Sequence, residues 1–101
     1  PQRRELVTSI PGPKSEALIA RKQAAVSSSV GTMMPVYAVA AGGGVIVDVD
    51  GNSLIDLGSG IAVTNVGNAD PHVAQAVIDQ VQRFTHTCYQ VVPYESYVAL
   101  A

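Results

Sequence analysis

The chain has one cysteine, Cys88, so it cannot close an internal disulfide, which accords with a reducing compartment. It has no basic stripe. Its six Lys and Arg residues are scattered apart from the pairs Arg3-Arg4 and Arg21-Lys22, and the net charge is -2, so nothing follows a phosphate backbone and no nucleic-acid partner is expected. Long apolar runs are absent too. The longest, Val36 to Val47, is interrupted by three glycines and is too short to span a bilayer. The N-terminus lacks the cationic-then-apolar order of a signal peptide, so no membrane partner and a cytoplasmic location are expected. Only 14% of residues are charged while 48% are hydrophobic, a globular composition far from that of disordered chains. A chain of 101 residues makes one small domain at most.

Both ends read as cut. The first residue is Pro1 rather than Met, and Tyr97-Val98-Ala99-Leu100-Ala101 stops in a helix-forming run without a terminating glycine or proline, so a fragment of a longer protein is expected. Residues 1–14 read as an arm, because Ile10-Pro11-Gly12-Pro13 forbids regular structure. Residues 15–70 read as a helix followed by a small antiparallel sheet and a glycine-rich loop. Ser15 is placed to cap a helix running through Ser29, with Glu16 in its first turn and Gly31 just past its end. Val36 to Ala40 is β-prone. Val45, Val47 and Val49 alternate with Ile46 and Asp48 up to an Asp50-Gly51 turn, and Leu54 to Leu57 returns. That meander must bury an apolar face, and the helix from Ser15 is the obvious cover.

Residues 71–101 read as a helix and the start of a further segment, an incomplete domain. Asp70-Pro71 is a helix start, Val73, Val77, Val81 and Phe84 recur at helical spacing, and the helix gives way after Arg83. Phe84 to Pro93 is rich in β-branched residues and predicts an extended segment, with another helix from Glu95.

Several chemical motifs fail on inspection. Asp48, Asp50 and Asn52 imitate the opening of a calcium loop, but Ser53 and Ser59 stand where glycine and glutamate are required, and a hairpin turn accounts for them better. Gly42-Gly43-Gly44 and Gly58-Ser59-Gly60 each lack the third glycine of a dinucleotide fingerprint. His72, His86 and Cys88 lack the paired spacing of a zinc site, and Cys88 has only His86 nearby in sequence as a base, so neither a metal nor a nucleophile is assigned.

The remaining motifs form an ordered set. Val45-Ile46-Val47-Asp48-Val49-Asp50-Gly51, Ile55 through Gly67, Pro71 and Ala76-Val77-Ile78-Asp79-Gln80 together resemble the N-terminal part of the class III pyridoxal-phosphate aminotransferases. His86-Thr87-Cys88-Tyr89-Gln90-Val91 and Pro93-Tyr94-Glu95-Ser96-Tyr97 resemble the branch acting on 4-aminobutyrate. One departure is visible: the family often carries Gly-His-x-His-Pro where this chain has Gly67-Asn68-Ala69-Asp70-Pro71, which drops both imidazoles but retains the turn glycine and the helix start.

The resemblance implies an α/β architecture, the N-terminal segment of a fold-type-I transferase, in a protein that moves an amino group from 4-aminobutyrate or a similar ω-amino acid to 2-oxoglutarate. Acetylornithine, ornithine or another diamine is the alternative substrate within the family, and a small non-enzymatic interaction module is the alternative outside it. The resemblance further implies pyridoxal phosphate bound mainly beyond this chain, and a homodimer or dimer of dimers. No catalytic residue is expected here, because neither Lys14, beside Pro13, nor Lys22, on a polar helix face, sits where an amine would be desolvated. Two substrate-binding positions carry over. Ile61 matches a substrate contact after Ser-Gly, where an apolar side chain suits an unbranched methylene chain and offers no partner to an extra α-amino group. Gln90 matches a second pocket-lining position. The plainer readings are a core isoleucine and a solvent-facing strand glutamine.

Overall fold

The computed structural model describes residues 2–101, which divide into two compact units at Asp70 and Pro71. The architecture is helix and sheet together. Helix α1 (Pro13–Ala25) opens the first unit, and a three-stranded antiparallel sheet of β1 (Ala38–Gly42), β2 (Val45–Asp48) and β3 (Ser53–Ile55) follows in the order β1-β2-β3.

Helix α1 has Gly12 at its N-cap, three residues before the cap expected at Ser15. Pro13 stands at the first turn, where its fixed φ suits a helix and its missing N–H costs nothing. The cap comes from far along the chain: the Asp50 carboxylate accepts the amides of Lys14 and Ser15 at 2.7 and 2.9 Å, so Ser15 is capped rather than capping. The helix also ends at Ala25 instead of Ser29. The Val26 amide closes the last turn onto the Lys22 carbonyl, and the serines beyond bond locally, Ser27 Oγ to Ser29 Oγ at 2.9 Å and the Val30 amide to the Ser27 carbonyl at 3.0 Å. Serine hydroxyls offer the backbone an alternative to helix, which accounts for the shortfall.

The expected meander forms, with its Asp50-Gly51 turn between β2 and β3. Val45 pairs with Gly42 and with Ile55, and an irregularity between Ala38 and Ala40 inserts Val39 into β1. A clean alternation of buried and exposed residues does not follow. Val45 and Asp48 are buried while Ile46 and Val47 are half-covered, and Val45 is the one buried hydrophobic residue among those described. Among the described residues α1 does not pack extensively on the sheet, so it is not the cover that the open strand face leads one to expect. It is attached at its N-terminus, through Asp50, rather than along its side.

The arm is bonded to the outer edge of β3. Glu5 and Ser53 exchange backbone hydrogen bonds of 2.9 and 2.7 Å, which satisfies edge groups that would otherwise invite another strand. Asn52 completes the tie: its Oδ1 accepts the amides of Val7 and Thr8 at 2.8 and 2.9 Å, and its Nδ2 donates to Thr8 Oγ1 and Asp48 Oδ2. Asp48 Oδ1 in turn accepts the amides of Asp50 and Asn52. Asp48, Asn52 and Ser15 are the fully buried side chains here, so the centre of this unit is polar and hydrogen-bonded.

The second unit holds α3 (Pro71–Arg83) and α4 (Glu95–Leu100), both at the positions expected. The segment between them differs from expectation. Cys88 takes a positive φ of 54°, and the amides of Val91 and Val92 turn back onto its carbonyl at 2.8 and 3.1 Å, so the β-branched stretch is a turn and not a strand. The aromatic rings supply the reason. Tyr89 meets Tyr94 edge-on at 5.2 Å and Tyr97 at 4.4 Å, and Phe84 meets Tyr94 at 5.5 Å, contacts that require the chain to double back between the helices. Local β-propensity is weak beside such packing.

Candidate functional site

The loop after β3 is the most distinctive backbone in the chain. Ser59, Gly60, Ile61 and Ala62 all have positive φ, of 48°, 61°, 61° and 61°, and form a single left-handed turn, α2 (Ser59–Ala62). Its hydrogen bonds run from the Ala62 amide to the Gly58 carbonyl at 3.0 Å and from the Val63 and Thr64 amides to the Ser59 carbonyl at 2.8 and 3.0 Å. Left-handed geometry costs roughly 1–2 kcal/mol for each non-glycine residue, most plainly at a β-branched one. Strain of this kind persists where surrounding bonds over-determine it and concentrates at ligand-binding positions.

Asp56 supplies several of those bonds. Its Oδ1 accepts the amides of Gly58 and Ser59 at 3.1 and 2.8 Å, and its Oδ2 accepts Asn68 Nδ2 at 3.4 Å. The loop's other end is stitched to the β1–β2 turn, where Gly43 and Asn68 exchange backbone hydrogen bonds of 2.8 Å. Gly67 is required at this crossing. Its φ is 89°, and a Cβ there would stand 2.9 Å from the Gly43 Cα. The turn glycine retained from the family motif thus has a steric reason.

Ile61 is 91% exposed at the crest of α2, so it is not a core residue in this unit. Beside the loop lies an open groove of about 600 Å³ lined by Met34, Val36, Ile46, Leu54 and Leu57, with Arg4 and Asp56 at its polar positions. The groove is suited to aliphatic chain with a charged end. Gln90 belongs to the second unit, exposed in the turn after Cys88 rather than on a strand. Ile61 and Gln90 therefore stand in different units, each open to solvent.

Asp50 is half-buried near the start of α1. Partial burial pushes its carboxyl upward, but the Ser15 hydroxyl, the Lys14 and Ser15 amides and the Lys14 ammonium outweigh that, and the net pKa is below the ordinary carboxylate value. The Ser15 hydroxyl itself is enclosed beside the carboxylate without a hydrogen bond of good geometry. With Asp48, Asp50 and Asn52 all engaged by amides, the acidic hairpin is a structural hub as well as the expected turn. Its reach to the arm and to α1 was not read from the sequence. The signal was there in Asp-x-Asp-x-Asn, since Asx side chains bond nearby amides, but nothing local names the distant partners.

The residues present do not fit a pyridoxal-phosphate site. Lys14 is exposed, and Lys22 Nζ donates to the Val30 carbonyl, so neither amine is held in an apolar enclosure. Among the described residues no group of three or more His, Cys, Asp or Glu is placed to hold a metal ion, and Cys88 is exposed. Among the described residues no helix is long and apolar enough to cross a membrane.

Against known proteins, residues 26–101 match the family model described as aminotransferase class-III, and the chain belongs to that family. Its relatives include enzymes named for ω-amino acids. The 4-aminobutyrate aminotransferase of Mycobacterium tuberculosis (strain H37Rv) is 63% identical over 100 residues, covering 99% of this chain and 22% of that protein. The 5-aminovalerate aminotransferase of Pseudomonas putida is 43% identical over 86 residues, covering 85% of this chain and 20% of the relative. The 4-aminobutyrate aminotransferase of Escherichia coli is 37% identical over 86 residues, with the same shares of 85% and 20%. The chain thus spans about a fifth of the length of the curated relatives it matches.

Proposed function

We propose that this chain is the N-terminal segment of a fold-type-I, pyridoxal-phosphate-dependent aminotransferase that moves the amino group of 4-aminobutyrate to 2-oxoglutarate, giving succinic semialdehyde and glutamate. The observation that carries the reading is the 63% identity to a 4-aminobutyrate aminotransferase over 99% of the chain. The group-transfer chemistry belongs to residues outside positions 1–101. The part assigned to this segment is substrate binding, with Ile61 as an apolar contact and Gln90 as a polar one, in a homodimer or dimer of dimers.

The exposed, strained presentation of Ile61 supports that role. An isoleucine side chain covers methylene groups and leaves an additional α-amino group unpaired, a penalty of about 1–3 kcal/mol for a buried polar group. A second reading, transfer from 5-aminovalerate, is favoured by the 43% identity to an enzyme of that name. The two substrates differ by one methylene, worth about 0.8 kcal/mol or a few-fold in rate.

The test uses the intact protein. Turnover of 4-aminobutyrate, 5-aminovalerate and N-acetylornithine with 2-oxoglutarate is expected to rank the ω-amino acids first, and faster N-acetylornithine turnover rejects the assignment of Ile61. Borohydride reduction with pyridoxal phosphate, followed by peptide mapping, is expected to mark a lysine outside residues 1–101. A label on Lys14 or Lys22 overturns the division of labour.

A further inference from the structure

Ile61 reaches its position on a turn that apolar packing does not hold. Ile61, Val63 and Val66 are 91%, 72% and 66% exposed, so the contacts that stabilise a costly left-handed backbone must be polar. Two side chains provide them. Asp56 leaves β3 with its own amide bonded to the Gly44 carbonyl at 2.9 Å, which fixes its backbone to the β1–β2 turn. From there its Oδ1 gathers the Gly58 and Ser59 amides, the two donors that lead directly into the left-handed residues. Its Oδ2 receives the Asn68 amide at the far end of the loop, and the Asn68 backbone is itself pinned to Gly43. One carboxylate therefore sets both the entry and the exit of the segment that displays Ile61. Hydrogen bonds to an ionised acceptor are the stronger kind, suited to opposing backbone strain.

We propose that Asp56, assisted by Asn68, is a positioning residue for the amino-acid pocket: it fixes the left-handed turn Ser59–Ala62, and through the placement of Ile61 it sets the length of substrate chain that the enzyme prefers. This rests on the ω-amino acid reading given above. Asp56 acts through the backbone and touches neither substrate nor cofactor. Without it, the loop relaxes toward right-handed backbone, and the Ile61 side chain leaves the place where it meets the substrate's methylenes.

The experiment compares the intact wild-type protein with Asp56→Ala, Asp56→Asn and Asn68→Ala. Hydrogen exchange of the amides from Ser59 to Thr64 is read alongside steady-state kinetics on 4-aminobutyrate and 5-aminovalerate. In Asp56→Ala the loop amides exchange about tenfold faster or more while those of the sheet stay protected, as expected from losing two hydrogen bonds to a charged acceptor. The KM for 4-aminobutyrate rises about tenfold with kcat changed much less, and the preference between the two amino acids narrows, the pattern of lost ground-state positioning. Asp56→Asn retains an oxygen acceptor and recovers most of both effects. Asn68→Ala shows the same direction at smaller size, and it carries the test if Asp56→Ala does not fold. Unchanged loop exchange overturns the proposal, as does a fall in kcat with KM and chain-length preference intact. If the wild-type protein turns over neither amino acid, the functional reading fails, and the exchange measurement still decides whether Asp56 holds the turn.

Discussion

The two units of this chain are held together by opposite means. Residues 2–70 have one buried hydrophobic side chain, Val45, and are organised by Asp48, Asp50, Asn52 and Asp56, whose partners lie up to 45 residues away. Residues 71–101 bury no helical residue fully and are organised by three ring pairs among Phe84, Tyr89, Tyr94 and Tyr97, all close in sequence. The difference shows two ways of specifying a conformation with little core. Long-range polar bonds to backbone fix loops in unusual geometries, whereas local helices joined by aromatic contacts need only propensity and proximity. The polar unit is the one that carries the strained turn, and strain requires directional restraint.

Breaking the polar hub should have the largest effect. Asn52→Ala removes four hydrogen bonds made by a fully buried side chain and strands the Val7 and Thr8 amides, so it should cost roughly 2–4 kcal/mol, measured by denaturant unfolding. Hydrogen exchange should place the loss in residues 2–70 and leave α3 protected, and equal loss in both units would dissolve the contrast. Gly67→Ala is next, since it combines a positive φ with a backbone approach to Gly43; about 1–3 kcal/mol is expected, with faster exchange at Gly43 and Asn68. For the second unit, Tyr89→Leu deletes two ring contacts worth about 0.5–1.5 kcal/mol each, and the loss should appear in α4 without disturbing the sheet.

The smallest effect is tied to pH. The pKa of Asp50 is lowered in the folded chain, so its cap on α1 contributes fully above the ordinary carboxylate pKa and is lost as pH falls through the depressed folded value. Asp50→Asn should therefore weaken α1 at neutral pH, read as faster exchange of its first-turn amides, and the gap from wild type should close as the medium becomes acidic. A gap that persists below that range removes the ionised carboxylate from the account.

Much of the second unit was legible residue by residue. Asp70-Pro71 and the spacing of Val73, Val77 and Val81 announce α3, and its bounds, Pro71–Arg83, agree with the reading. The Asp50-Gly51 turn and the strands around it were equally readable, because turn chemistry and β-branching are properties of neighbours. Ser15 is the opposite case. A capping serine and a capped serine look alike in sequence, and only the arrival of Asp50 across the fold distinguishes them. Gln90 was placed on a strand by its β-branched neighbours, and ring packing turned the segment back instead.

Helix α3, the hairpin and the family motifs follow from side chains within a few positions of each other, since propensity, turn geometry and periodicity act over that range. The start of α1, the covering of the β3 edge and the closing of the loop that displays Ile61 depend on Asp50, Glu5 and Asp56 meeting groups that the folded backbone delivers, two of them amides from distant segments and one the Asn68 side chain from the far end of the loop. A hydrogen bond is specified by position and angle, and those exist once the chain has closed.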